Sequence, residues 1–318
     1  MIPPGRGPSA KDGKERTVNP SFEFANGEQH ALIPVHHLDD LRAEIQSFAD
    51  SETLNDFQQW IVNDLYDFRP PAKDFHAESI LLVAVPHPLY SRVTLAHHGR
   101  EYSCLSLVRS DFESATAAIE TAAQREGFRT AKADNLPLKR LAAHCGLAVY
   151  GRNNITYIRG LGSNFSYTAW YTDRVCEETG WKAASRPRIC ETCTRCREAC
   201  PTGAIRGDRF LIDTQRCLSY WNESREPFPD WLPVSAHHTL YDCLKCQMAC
   251  PMNAAQMKNI GDPILFNEEE TEALLSGAAF ESYLPFMKRK ADYLGLDQWP
   301  DGIAKNVRTL IARDEKGH

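Results

Sequence analysis

Eight of the eleven cysteines of this 318-residue chain fall into two runs, Cys190-x2-Cys193-x2-Cys196-x3-Cys200-Pro201 and Cys217 followed by Cys243-x2-Cys246-x3-Cys250-Pro251. No other feature restricts the fold as much. Three thiolates two residues apart can curl around one face of a cubane [4Fe–4S] cluster, a distant fourth closes the cage, and the proline after each run turns the chain away. Zinc ribbons and disulfides are the alternatives. Zinc sites seldom repeat the CxxC step with a Cys-Pro end, and a reducing compartment disfavours disulfides.

In bacterial two-cluster ferredoxins the cysteine before the proline serves the other run's cluster. The same crossing predicts one metal site at Cys190, Cys193, Cys196 and Cys250, and a second at Cys200, Cys217, Cys243 and Cys246. The remaining thiols, Cys104, Cys145 and Cys176, have no ligand spacing and read as small buried residues.

The length leaves room for about two domains, and 42% hydrophobic with 25% charged residues is the balance of an ordinary globular protein. A formal net charge of −6 gives no global attraction to nucleic acid, although a local basic face stays open. The opening MIPPGRGPSAKDGKER lacks an apolar h-region and a twin-arginine pair, and SILLVAVP falls well short of the roughly 20 residues of a membrane span. The expectation is a cytoplasmic protein without membrane contact. SILLVAVP suits a buried strand.

Helical spacing marks His37–Phe48, Leu54–Phe68, Phe112–Glu126 and the short LKRLAAHC helix, and strands are expected at FRTAKAD, Ile155–Ile158 and Tyr167–Tyr171. Helices are expected again at Glu268–Leu275, Phe280–Leu294 and Ile303–Arg313. The division is a flexible tail over 1–28, an α+β domain over 29–180, a cluster module over 181–254 and a helical segment over 255–318 packing on the first domain.

The order of motifs then becomes informative: AKADNLPLKRLAAHCGLAVYGRNNITYIRGLGSNFSYTAWYTD, then CETCTRCREACPTGAI, FLIDTQRCLSYWNES and YDCLKCQMACPMN. Over about residues 75–255 the chain resembles the epoxyqueuosine reductase family and, more distantly, the reductive dehalogenases. The resemblance implies a nitroreductase-like α+β domain holding base-off cobalamin, two [4Fe–4S] clusters that feed it electrons from an external low-potential donor, and reduction of an epoxide in the anticodon stem-loop of a tRNA. It implies Asp134 as the general acid that such a reduction requires; the same residue would equally serve as a helix cap. The family pattern D-x-x-P-x-L-E-R is shortened here to D-N-L-P-L-K-R. A family member acting on a small molecule, and a plain two-cluster electron carrier, are the competing readings.

For cofactor contact the candidates are Arg140, Tyr150, Gly151, Arg152, Asn153 and Asn154, the last four of which also read as turn chemistry. RGLGSN at Arg159–Asn164 fits neither a dinucleotide fingerprint nor a P-loop. Arg188, Arg195, Arg197, Arg206, Arg209, Arg216 and Arg225 either track RNA phosphates, with Tyr220 and Trp221 as stacking surfaces, or offset the charge of the clusters. His237–His238 reads as a surface loop. His87 lies where ligands meet a sheet, or is a capped core histidine.

Overall fold

The structure, a computed structural model, describes residues 21–51, 54–70, 74–133, 135–177 and 180–316. Asp134 and residues 1–20 of the expected tail lie outside the described residues. In chain order the first elements are β1 (Gln29–Pro34), α1 (His37–Ser51), α2 (Asp56–Trp60), β2 (Ser79–Pro86), β3 (Tyr90–His97), β4 (Arg100–Leu107) and α3 (Phe112–Glu126). Then come β5 (Thr130–Lys132), α4 (Leu138–His144), β6 (Val149–Tyr150), β7 (Thr156–Tyr157) and β8 (Phe165–Thr172).

The apolar run from Ser79 is the middle of a four-stranded antiparallel sheet ordered β1-β2-β8-β5. Strand side chains alternate between faces. Ile80, Leu82 and Ala84 therefore pack with Leu38 and Leu41 of α1 and Leu141 of α4, whereas Leu81, Val83 and Val85 pack with Ala115 and Ile119 of α3. Helices on both faces explain why the run is continuously apolar instead of alternating. Truncating Leu81 or Leu82 to alanine in so closed a layer would cost about 2–5 kcal/mol.

Gly127 ends α3 in the left-handed conformation at φ 72°, and its amide bonds back to Ala123 O. The expected helix over Leu54–Phe68 is much shorter. An Asn55–Gln58 capping box starts α2, a single wider turn over Ile61–Leu65 follows, and the chain leaves extended at Tyr66. The amide of Asp67 then bonds Asn135 O at 2.9 Å, and Phe68 packs on the sheet core. Tertiary bonding to the segment before α4 thus overrides helical spacing.

The cysteine segment holds only short helices, α5 (Arg195–Glu198), α6 (Leu218–Glu223) and α7 (Lys245–Met248). α5 and α7 carry Cys196 and Cys246 at equivalent places and pack on each other. After it come β9 (Ile260–Phe266), α8 (Glu268–Ser276), α9 (Pro285–Tyr293) and α10 (Pro300–Lys316). β9 joins β3 in parallel in a second sheet ordered β4-β3-β9. Val93, Leu95, Tyr102 and Cys104 of that sheet share a core with Leu274, Val307 and Leu310 of the last helices. Pro285 opens α9, so Phe280–Ser282 is a separate turn and not the start of one long helix. Among the described residues no helix is long and apolar enough to cross a membrane.

His237 and His238 do not form the expected surface loop. Both lie in the packing between the cysteine segment and α10, and burial lowers the pKa of each to about 4.

Candidate active site

Where the strand ends of the first sheet meet the cysteine segment, the structure leaves a cavity of about 760 Å³. One wall comes from α1 and α2 through Ile45, Phe48 and Phe57. A second comes from Pro137–Arg140 and from Tyr150 and Asn154–Thr156, and the cysteine segment closes it with Phe210–Ile212 and Asp242. The lining is mainly apolar with a few convergent polar groups, the composition of a small-molecule or cofactor site.

His87, at the end of β2, faces this cavity and is fully partnered. Its Nδ1 lies 2.9 Å from Val108 O and its Nε2 3.1 Å from Ser166 Oγ. Burial lowers its pKa, so the ring is neutral: Nδ1–H donates to the carbonyl and Nε2 accepts from the serine.

Arg140 also lines the cavity. Its Nε donates to Glu44 Oε2 at 2.9 Å, and its guanidinium stands over the rings of Phe48 at 5.0 Å, Tyr150 at 5.4 Å and Phe210 at 5.7 Å. Glu44 additionally contacts His144 Nε2 at 2.8 Å. Burial pushes the Glu44 pKa up, but the bonds from His144 and Arg140 outweigh it and hold the carboxyl below its ordinary range. The preceding residue, Lys139, lines the cavity without a hydrogen bond or ion pair among the described residues. Enclosure by protein lowers its pKa, and the Cys217 thiolate opposes that shift.

Cys190, Cys193, Cys196 and Cys250 surround a second, small void. Burial raises the Cys196 pKa, and repulsion from Cys250, Cys190 and Cys193 adds to it. The other four are grouped in the same way: burial and the charges of Cys217 and Cys200 push Cys243 up to about 12, and Cys246 is raised by burial and by Cys243, Cys217 and Cys200. All eight are free of disulfides. Four thiols whose anions repel one another around a common space fit a bound iron centre, which deprotonates its ligands outright. Cys200 is the exception in sign. Burial raises it, but backbone amides of Thr202, Ile205 and Ala204 and the Thr202 hydroxyl outweigh burial and lower its pKa.

The stretch after Tyr150 divides between the two places. Tyr150 and Asn154 face the large cavity, whereas Gly151, Arg152 and Asn153 line the first cysteine void. Of these cofactor candidates, Tyr150 and Asn154 thus stand with Arg140 at the large cavity, and Gly151, Arg152 and Asn153 stand beside the cysteines. Arg152 donates from Nε to Cys193 O at 3.1 Å and from Nη2 to the carbonyls of Cys190 and Glu191, fastening the first cysteine loop. Asn153 Nδ2 donates to the Tyr157 hydroxyl at 2.9 Å. Nor is the RGLGSN turn open to a ligand at its centre: Gly162 takes φ 60°, and a Cβ there would lie 2.1 Å from Asn253 Oδ1. The turn seats Asn253, which accepts from the Ser163 amide at 2.8 Å.

Tyr220 and Trp221 are not free stacking surfaces. Tyr220 packs edge-on against Phe57 at 4.9 Å, and Trp221 Nε1 donates to Gln215 O. Among the arginines, Arg206 pairs with Asp208 and Arg216 bonds Thr202 O, while Arg188, Arg195 and Arg197 are exposed and Arg195 lines the first cysteine void. Sequence reading missed the buried carboxyl pair Glu223 and Asp242. Burial drives both pKa values up, and the Asp242 charge raises Glu223 further. Only their contact across the fold reveals them.

Residues 189–253 match the family described as 4Fe-4S double cluster binding domain. The chain is 28% identical to an epoxyqueuosine reductase of Cyclobacterium marinum over 177 residues, 55% of each chain. It spans about half the length of the curated relatives it matches. The fold is that of solved epoxyqueuosine reductases. The Bacillus subtilis structure superimposes with a TM-score of 0.58 at 16% identity, covering 90% of this chain and 77% of that one. A structure of an epoxyqueuosine reductase with an epoxyqueuosine-modified tRNA stem loop gives 0.56 at 15% identity, covering 91% and 78%.

Proposed function

We propose that this chain is a cobalamin-dependent iron–sulfur reductase that reduces epoxyqueuosine in the anticodon loop of a tRNA to queuosine. The observation that carries the reading is the 760 Å³ cavity shared by the α+β domain and the cysteine segment. A plain electron carrier has no use for such a space, and its apolar walls with a few polar groups suit a large ligand that carries a polar periphery. In this reading Cys190, Cys193, Cys196 and Cys250 hold one cluster, Cys200, Cys217, Cys243 and Cys246 hold the other, and an external low-potential donor supplies electrons. A cytoplasmic setting, where thiols stay reduced, belongs to the same proposal.

Cobalamin would be held by Arg140, Tyr150 and Asn154, with hydroxyls of Thr156 and Ser166 available to its peripheral amides. When bound, it supplies a cobalt centre whose low-potential form cleaves carbon–oxygen bonds. The chain's own groups then have separate tasks. Arg140 is held by Glu44 and three aromatic rings, so its charge stands at the wall without reorganisation. The apolar side chains of Phe48, Leu136 and Phe165 exclude water. Asp134, marked by the resemblance, would deliver the proton that the departing oxygen takes up; Leu136 and Pro137, just after it, line the cavity. Exposed Arg188, Arg195 and Arg197 would meet tRNA phosphates.

The test is anaerobic turnover of epoxyqueuosine-containing tRNA by the cluster- and corrinoid-loaded protein with a low-potential reductant, read by nucleoside chromatography. Queuosine is the expected product, with an Asp134→Asn variant slowed about 100-fold or more. Unchanged epoxyqueuosine with a fully loaded protein would contradict the assignment.

A further inference from the structure

Outside the cysteine segment, the tip of the β3–β4 hairpin meets α8. His97 ends β3, His98 and Gly99 make the turn, and Glu272 comes from α8. His97 Nδ1 lies 3.0 Å from Glu272 Oε1. The two imidazoles stack with centroids 3.9 Å apart and planes 22° from parallel. One ligand atom from each of the three side chains lies within 4.8 Å of the other two.

Adjacent residues of a strand point to opposite faces. His98 escapes that rule because it takes φ 49°, a left-handed conformation uncommon outside glycine, which lays its ring on that of His97. The two elements are also fastened together independently of these side chains. The Gly99 amide donates to Glu268 Oε1 at 2.7 Å, and α8 is anchored by its Asn267–Glu270 capping box and by the Glu270–Lys290 pair at 2.6 Å.

We propose that His97, His98 and Glu272 form a binding site for Zn²⁺ or a similar borderline divalent ion, with the fourth position left to water or an external ligand. Two imidazole nitrogens and one carboxylate are a donor set that zinc takes with an open position. Imidazole donors select against magnesium and calcium. Tetrahedral bonds of about 2.0–2.2 Å put two donors on one ion roughly 3.4 Å apart, so a pair at the 4.8 Å limit draws in by about 1.4 Å. His98 and Glu272 are exposed and able to make that movement, splaying the stacked rings as they do so. The ion would replace the His97–Glu272 contact and clip the hairpin to the C-terminal helices. This site is independent of the reaction proposed above.

The experiment is calorimetric titration of Zn²⁺, with Mg²⁺ as control, into the cluster-loaded protein under anaerobic conditions, with iron determined before and after. The parent is compared with His98→Asn, which tolerates the left-handed turn, and Glu272→Gln, which keeps the shape and removes the charge. One saturable zinc site, at least tenfold weaker in each variant, with iron unchanged and no Mg²⁺ binding, is expected. Absence of a saturable site in the parent, equal affinity in parent and variants, or zinc uptake that merely displaces iron would overturn the proposal.

Discussion

Asn153 and Tyr157, joined by a 2.9 Å hydrogen bond from the amide to the hydroxyl, span the two cysteine cages. Tyr157 and Cys250 influence each other's protonation, as the Asn153 side chain does that of Cys246, which sets the pair beside a sulfur of each cage. Gly151 makes room for the pair, since a Cβ there would lie 2.5 Å from Asn153 Oδ1 and 2.6 Å from the Tyr157 ring. Hydrogen bonds to cluster sulfur help to set reduction potential. Gly151→Ala and Tyr157→Phe should therefore each shift a cluster midpoint, the lost donor in Tyr157→Phe moving it to more negative potential. Redox titration of the loaded proteins checks this; parent-like potentials in both would contradict the role.

The crossed cages make a second prediction. Alanine at Cys250 should remove the same cluster as alanine at Cys190, and alanine at Cys217 the same cluster as alanine at Cys246, each with loss of about four irons. Iron analysis with paramagnetic resonance distinguishes the two clusters. Cys250→Ala matching Cys246→Ala would contradict the crossing.

Glu44 ties Arg140 of the cavity wall to His144. Its folded pKa is depressed, so its contribution to stability is present above the unfolded value near 4.5 and is lost as pH falls through the lower folded value. Glu44→Gln should cost about 1–2 kcal/mol at neutral pH. The difference from parent should shrink progressively below about pH 4.5 in denaturant melts at stepped pH.

If Arg188, Arg195 and Arg197 contact phosphates, each replacement by alanine should weaken tRNA binding and reduce the slope of log affinity against log salt by about one. Equal slopes in parent and variants would remove them from the interface. The salt series is run on the loaded protein with a stem-loop.

The parts legible in the sequence were those carried by local chemistry. Cysteine-proline spacing announces the cluster module, the apolar run Ile80–Val85 announces a strand buried on both faces, and Gly127 marks the end of α3. The β3–β4 hairpin was missed because Ser91, Arg92 and Thr94 dilute its apolar pattern and its turn is His98-Gly99, not an asparagine-glycine pair. The site beyond the cysteines was only partly legible. Arg152 and Tyr150 are two residues apart yet serve different spaces, and Glu44, which holds Arg140, is 96 positions away in sequence. Such partners become visible only when the fold brings them together.

The central claim is that the cavity between the two parts of the chain holds a corrinoid beside two clusters. Anaerobic reconstitution with iron, sulfide and hydroxocobalamin, followed by gel filtration, iron analysis and visible spectroscopy, tests it most directly. The account predicts about eight irons and one base-off corrinoid per chain, with retention of the corrinoid weakened by Arg140→Ala. The same iron without retained corrinoid would contradict it.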